Sequence, residues 1–280
     1  MEPYDAAYVP APAGFRNTGA ICWLNSLMQS LLSCPSFTRA VLRADQELGR
    51  TKLGSILYAL TRDSLNNSAT THYTGQLRAA IVEQKHFGYG QECAAEGLTL
   101  MMDAIKSPTV TDVLTYRYRV GRVCFPCKAV VDDSSKESPG HAIRMFHYDG
   151  TSDFMDSLKL QVDELDHSAF QCDCGKMQSR VYRLTMLPEV VVVQFNKFYG
   201  KKLLPFPEQF TVDGTSGKKM IFRQTAQIEH SGSMSGGHYW ALCRRADGVY
   251  CLNDQSCTRV PGFAPTANTH MVFYSYMGDA

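Results

Sequence analysis

Apolar side chains at Leu24, Leu27, Met28, Leu31 and Leu32 recur with the spacing of one helical face, so residues 22–33 read as an amphipathic helix. Pro35 stops it. Helical texture continues over residues 37–47, 52–60, 75–84 and 92–106, broken by polar loops such as Asn66-Asn67-Ser68. From about residue 110 the period shortens to two. Residues 115–122 alternate and are rich in β-formers, 169–187 read as a strand interrupted by Cys and Gly, and 189–195 read as a buried strand. Short strands follow over 220–229, 237–244, 249–252 and 269–276, bounded by Gly, Asp and Asn, while residues 132–140 read as a solvated loop. Helices first and strands afterwards predict an α+β fold with two lobes and a cleft between them.

Composition narrows the function. The 280 residues carry 28 Lys+Arg against 27 Asp+Glu, a formal charge of +1, which excludes a basic nucleic-acid binder. With 44% hydrophobic and 20% charged residues, the chain matches ordinary globular usage and can bury a large core. The strongest apolar run, Val190-Val191-Val192-Val193, is far too short to cross a membrane, and the opening Met1-Glu2-Pro3-Tyr4-Asp5 has no signal-peptide character. Ten cysteines are too dilute for a disulfide scaffold. The expectation is a cytoplasmic or nuclear monomer with reduced thiols.

Cys22 stands where the loop Gly14-Phe15-Arg16-Asn17-Thr18-Gly19 runs into the first helix. A helix N-terminus favours a thiolate, the nucleophilic form, and loop amides with Asn17 offer donors to an oxyanion. By itself Cys22 reads more readily as a small buried hydrophobe. His238 follows a Gly/Ser loop at the start of a strand, and Asn253 and Asp254 close the next one. Adjacent antiparallel strands place an Asn or Asp beside the imidazole, the arrangement of a Cys–His pair with an orienting third group. Taken singly, His238 reads more readily as a loop histidine beside a turn.

Five landmarks, taken in order, resemble the catalytic domain of the ubiquitin-specific proteases. Residues 14–32 resemble that family's cysteine box at Gly14, Asn17, Gly19, Cys22, Asn25-Ser26, Gln29 and Leu31 or Leu32. His230-Ser231-Gly232 with Gly236-Gly237-His238-Tyr239 resembles its histidine box, and Leu252-Asn253-Asp254 its Asn/Asp-Asp motif. Leu187-Pro188-Glu189-Val190 through Phe195-Asn196-Lys197-Phe198 resembles an internal strand, and residues 270–276 the final one. Ala20-Ile21 departs from the usual Asn-Thr before the cysteine.

The resemblance implies a papain-like fold. After a lead-in (1–13), one catalytic domain spans 14–280, with a helical thumb over about 14–110, β fingers over about 111–185 and a β palm over about 186–276. It implies Cys22 as nucleophile, His238 as general base, Asn253 as orienting residue, Asp254 as auxiliary and Asn17 as oxyanion donor. The reaction implied is thiol-dependent hydrolysis after the C-terminal Gly-Gly of ubiquitin. Two alternatives remain: a protease for another ubiquitin-like modifier, and a silent ubiquitin-binding member of the fold. Gln91, Glu92, Cys93, Glu96, His230, Gly237 and Tyr239 are the implied substrate contacts. In the segment Tyr89-Gly90-Gln91-Glu92-Cys93-Ala94-Ala95-Glu96, Cys93 falls where the family has an Asp that binds arginines of the ubiquitin tail.

Cys124-x-x-Cys127 and Cys172-x-Cys174, at the tips of two β-ribbons, have the donor set of a structural zinc site, and the resemblance agrees. The second pair is one residue short, so the usual knuckle turn is not expected there. Cys34, Cys93, Cys243, Cys251 and Cys257 read as packing residues, as do Met101 and Met102.

Overall fold

The computed structural model describes the chain apart from residues 69, 71, 84–87, 89, 133–135, 146–147, 163–169, 196–202, 215–216 and 234–235, and the Asp132 side chain. Tyr89, residues 133–135 of the expected solvated loop and the Asn196-Lys197-Phe198 motif therefore lie outside the described residues, and the end of that loop, Ser138–Gly140, is a strand instead.

Among the described residues a 3₁₀ turn (Ala6–Tyr8) and seven α-helices come first: α1 (Cys22–Leu31), α2 (Pro35–Arg43), α3 (Asp45–Leu48), α4 (Lys52–Leu65), α5 (Tyr73–Glu83), α6 (Ala94–Ile105) and α7 (Pro108–Thr111). Pro35 ends α1 by starting α2, where the missing N–H of a first-turn proline is harmless. Helix α4 runs past the expected end at residue 60, carried by Thr61 and Ser64, whose side chains are buried. Lys106 closes α6 in the left-handed conformation, at φ 50°.

Two sheets follow. The smaller contains β1 (Tyr116–Val123), β2 (Val130–Asp132), β3 (Ser138–Gly140), β5 (Leu160–Val162) and β6 (Ser179–Met186). Its order is β2-β1-β6-β5, with β3 also on β1. The larger contains β4 (Ile143–Met145), β7 (Val190–Phe195), β8 (Gln209–Asp213), β9 (Lys219–Ser233), β10 (Gly236–Arg245), β11 (Gly248–Asn253), β12 (Ser256–Val260) and β13 (Thr269–Asp279). Its order is β12-β11-β10-β9-β13-β7-β4, with β8 on β9. Only the β4–β7 pair is parallel among the described strands. A short helix, α8 (Phe154–Lys159), packs on the smaller sheet. It was not expected, nor were β2 to β5, β8 and β12, all too short to show a period.

The stripe on α1 is real, but its other face is not solvated. All ten residues of α1 are buried, because the helix is wedged between β9 and β10 on one side and α5 and α6 on the other. A main core joins α1, the other helices and the inner face of the large sheet, and includes Met101 and Met102. A second core, rich in aromatic rings, joins the outer face of β7 and β13 to α8 and the smaller sheet. Of the cysteines read as packing, Cys34 and Cys243 are fully buried, Cys93 and Cys251 are half-buried, and Cys257 is exposed on β12. Among the described strands β12 pairs only with β11, and its side chains from Ser256 to Arg259 are exposed.

Candidate active site

Cys22 is the first residue of α1 and is 4% exposed. No side chain caps this helix. The helix N-terminus was expected to depress the thiol's pKa. Instead burial pushes it above the ordinary value, and the charge of Asp254 pushes the same way. The backbone N–H groups of Tyr239 and Trp23 act in the opposite direction without prevailing.

His238 comes from the opposite lobe, near the start of β10. Its Nε2 lies 2.6 Å from Asn253 Oδ1, and its ring stacks beside Trp240. A carbonyl oxygen only accepts, so Nε2 carries the proton and Nδ1 is left as the basic nitrogen. Cys22 and His238 share no hydrogen bond.

Asn253, Asp254, Gln255 and Ser256 make a two-residue hairpin turn between β11 and β12, closed by the Asn253–Ser256 pair. Asp254 sits there at φ 49°, a left-handed conformation that Asp tolerates. Its carboxylate accepts from Asn17 Nδ2 at 2.9 Å and from Asn25 Nδ2 at 2.7 Å, and its backbone carbonyl accepts from Phe15 N at 2.8 Å. Asp254 thus ties the loop before Cys22 and the first turn of α1 to the large sheet. Gly14 permits this approach, since a Cβ there would lie 2.4 Å from the Gln255 carbonyl oxygen. The other end of the Asn17 amide accepts from Gly19 N at 2.9 Å. Asn17 therefore reaches the site as expected, with its amide bonded to Asp254.

The buried polar face of α1 continues this wiring. Gln29 donates to the Ala13 carbonyl at 2.6 Å and accepts from Arg245 Nη2 at 2.7 Å, and Arg245 also donates to Ser33 Oγ. Arg245 is 2% exposed. The sequence reading missed Asn25, Gln29 and Arg245 as parts of one network. The available signal was a run of amides and hydroxyls on a helix otherwise apolar.

Across the cleft, Gln91 accepts from Gly237 N at 2.7 Å and donates to the Gly237 carbonyl. Its Nε2 also lies 3.8 Å from Cys22 Sγ. Glu92 accepts weakly from Gly88 N at 3.3 Å, and Glu96 is exposed. Cys93 turns inward, 3.7 Å from His270 Nε2 and 4.0 Å from Gln194 Nε2. His230 and Tyr239, expected to contact substrate, are 8% and 3% exposed and stack on each other with centroids 4.3 Å apart. Tyr239 on β10 and its cross-strand partner His230 on β9 are turned inward rather than forming an open face.

At the far end of the smaller sheet, Cys124, Cys127, Cys172 and Cys174 converge with all sulfurs within 4.8 Å of one another. The Cys124–Cys174 and Cys127–Cys172 pairs each lie at 3.5 Å. The shortened pair does form a turn: Gly175 N donates to the Cys172 carbonyl at 2.8 Å, with Gly175 at φ 79°. The backbone N–H of Cys174 and the neighbouring Cys127 side chain hold the Cys172 thiol below its ordinary value. Four thiols at these separations can hold a metal ion.

The family model "Ubiquitin carboxyl-terminal hydrolase" matches residues 13–274, and the chain belongs to that family as a catalytic domain of the ubiquitin-specific protease type. A curated relative, ubiquitin carboxyl-terminal hydrolase 32 of Drosophila melanogaster, is 32% identical over 99 residues. The match covers 34% of this chain, which spans only 5% of that protein's length. Among solved structures, a chain of the SAGA DUB module Ubp8/Sgf11/Sus1/Sgf73 bound to monoubiquitin superposes with a TM-score of 0.71 at 17% identity, over 100% of this chain and 72% of that one. A yeast SAGA DUB module structure gives a TM-score of 0.71 at 15% identity with the same coverage.

Proposed function

We propose that this chain is a thiol-dependent deubiquitinase that hydrolyses the isopeptide or peptide bond after the C-terminal Gly-Gly of ubiquitin. The observation that carries the reading is the Asn253–His238 bond of 2.6 Å, which leaves His238 Nδ1 basic on the strand facing the Cys22 helix. His238 takes the Cys22 proton as the thiolate attacks the carbonyl carbon, then returns it to the leaving amine. Water releases the acyl group from Cys22, with His238 again as base. Asn253 orients the imidazole, and Asp254 holds the Asn17 loop against α1. The raised thiol of the free protein fits an enzyme in which the Cys–His pair completes only with substrate bound.

The four-cysteine cluster fits tetrahedral zinc: an all-thiolate donor set, already gathered, on two turns outside both cores. Cys124, Cys127, Cys172 and Cys174 would hold the ion, which supplies folding stability and no chemistry at Cys22.

The test is release of a fluorogenic amide from the ubiquitin C-terminus by the wild-type chain and by Cys22→Ala. Turnover by the first and none by the second supports the reading. A second reading, preference for another ubiquitin-like modifier, is favoured by the inward-facing Cys93, which leaves no carboxylate at that position. Parallel assays with amides of other modifiers decide between the two.

A further inference from the structure

We propose that Gln91 is a catalytic residue whose side-chain amide donates to the oxyanion formed during attack by Cys22. The inference rests on the hydrolase reading above and adds a donor to it.

Gln91 lies in the segment before α6, on the far side of the cleft from β10. Its two bonds to the backbone of Gly237 fix the amide's orientation: Oε1 accepts from the Gly237 N–H, so Nε2 faces the Gly237 carbonyl. An amide nitrogen carries two hydrogens. One is engaged by Gly237, and the other is directed at Cys22 Sγ over 3.8 Å. Oxyanion donors act about 2.7–3.1 Å from the developing oxygen. That oxygen is borne by the carbon bonded to sulfur, so a donor at this distance from Sγ falls within its reach. Both partners of the clamp are held: Gly237 by its β9 neighbour Gly232, and Cys22 by the buried α1. The donor is therefore preorganised, which is the property that makes such a group effective.

Asn17 is placed differently. Its Nδ2 is bonded to the Asp254 carboxylate and its Oδ1 to Gly19 N. Its amide braces the loop and keeps a second hydrogen, so Gln91, the amide bonded to the thiol, adds to that donor and does not replace it.

In the proposed step the Sγ–carbon bond forms as the carbonyl π electrons move to oxygen. Gln91 Nε2–H follows the negative charge from sulfur to that oxygen and gives up no proton. When the tetrahedral adduct collapses, the electrons return, the carbon–nitrogen bond breaks, and the proton from His238 goes to the leaving amine.

The experiment compares wild type with Gln91→Ala and Gln91→Glu. Gln91→Glu keeps an acceptor for Gly237 N but removes the donor. Three readouts are needed: kcat and KM on the fluorogenic ubiquitin amide, acylation of Cys22 by a p-nitrophenyl ester, and alkylation of Cys22 by iodoacetamide across pH. Alkylation needs the thiolate but forms no oxyanion. Both variants are expected to lose about 10²–10³ in kcat and in ester acylation, with KM within about threefold. Alkylation of Gln91→Ala should stay within about twofold, while the added carboxylate of Gln91→Glu moves its alkylation profile to higher pH. Variants within about threefold of wild type in kcat and acylation would overturn the proposal. So would parallel loss of alkylation in Gln91→Ala, which marks Gln91 as positioning the thiol instead. A wild type silent on ubiquitin but acylated by the ester defeats the ubiquitin reading and leaves Gln91 to be judged by acylation. Silence on both defeats both.

Discussion

The Cys22 thiol heads a helix whose ten residues are all buried, and the groups that close round this end of it are far off in sequence, Gln91 69 positions from Cys22 and Asp254 229 from Asn25. The four clustered thiols hang on two local turns, in the region that also holds the exposed Phe125, Val130, Val131, Phe170, Met177 and Met186. Burial pushes Cys22 up, while backbone N–H groups and neighbouring thiols hold Cys172 down. One functional group is thus set in two ways. At the cleft the fold makes the geometry and withholds the charged form. At the sheet tip short turns gather four thiols, of which Cys172 is held down toward the charged form while Cys124 and Cys127 are pushed up. A reactive thiol needs the first arrangement, since a thiolate exposed at rest would be oxidised or capped.

Four measurements break or sharpen that contrast. The largest effect is expected from Cys22→Ala: loss of at least about 10³ in turnover with the melting temperature within a few degrees of wild type. A collapse of the fold would show that Cys22 is a packing residue first. Next, a strong chelator should lower the melting temperature by about 5 °C or more, because metal affinity at such sites is folding free energy. Iodoacetamide reactivity at Cys22 should stay within about twofold, and a parallel loss would mean that the two sites are not independent. Asp254→Ala should come third. It strands the buried Asn25 amide and frees the Asn17 loop, costing about 1–3 kcal/mol in denaturant unfolding and about tenfold or more in turnover.

The smallest effect concerns alkali. Complete burial raises the Cys34 thiol to about 11, whereas an unfolded thiol ionises near about 8.5. The folded state keeps its proton longer, so this stabilisation is complete below about pH 8.5 and is lost as pH rises to about 11. Cys34→Ser keeps a hydroxyl for Thr225 and removes the titration. Urea midpoints should then decline less steeply with pH than in wild type. An unchanged slope would assign the alkaline loss to other groups.

Much of the site was legible because its side chains sit at element boundaries that the sequence marks. Cys22 follows a Gly-containing loop at a helix start, and His238 and Asn253 bracket one β-hairpin. The zinc candidate was legible for the same reason, as two short Cys spacings inside β texture. The network behind them was not. Nothing local says that Asn25 meets Asp254, 229 positions on, or that Gln29 meets Arg245, because those contacts exist only once β10 lies on α1. The inward burial of the cross-strand pair His230 and Tyr239 was hidden likewise: alternation along β9 and β10 gives two faces, and only the position of α1 decides which is inside. The short elements β2 to β5 and α8 escaped because three to six residues carry too little pattern.

Trp23, immediately after Cys22, lies with its indole ring against Gly97 of α6, where an added methyl carbon would fall 2.3 Å from the ring. The Arg78 guanidinium covers the ring at 5.2 Å. The two positions therefore form a lock in sequence space. A larger residue at 97 is barred while the indole stands, and a smaller ring at 23 opens a void between α1 and α6 while Gly97 remains. Descendants of this chain can leave that pairing only by changing both residues, and neither change is comfortable first.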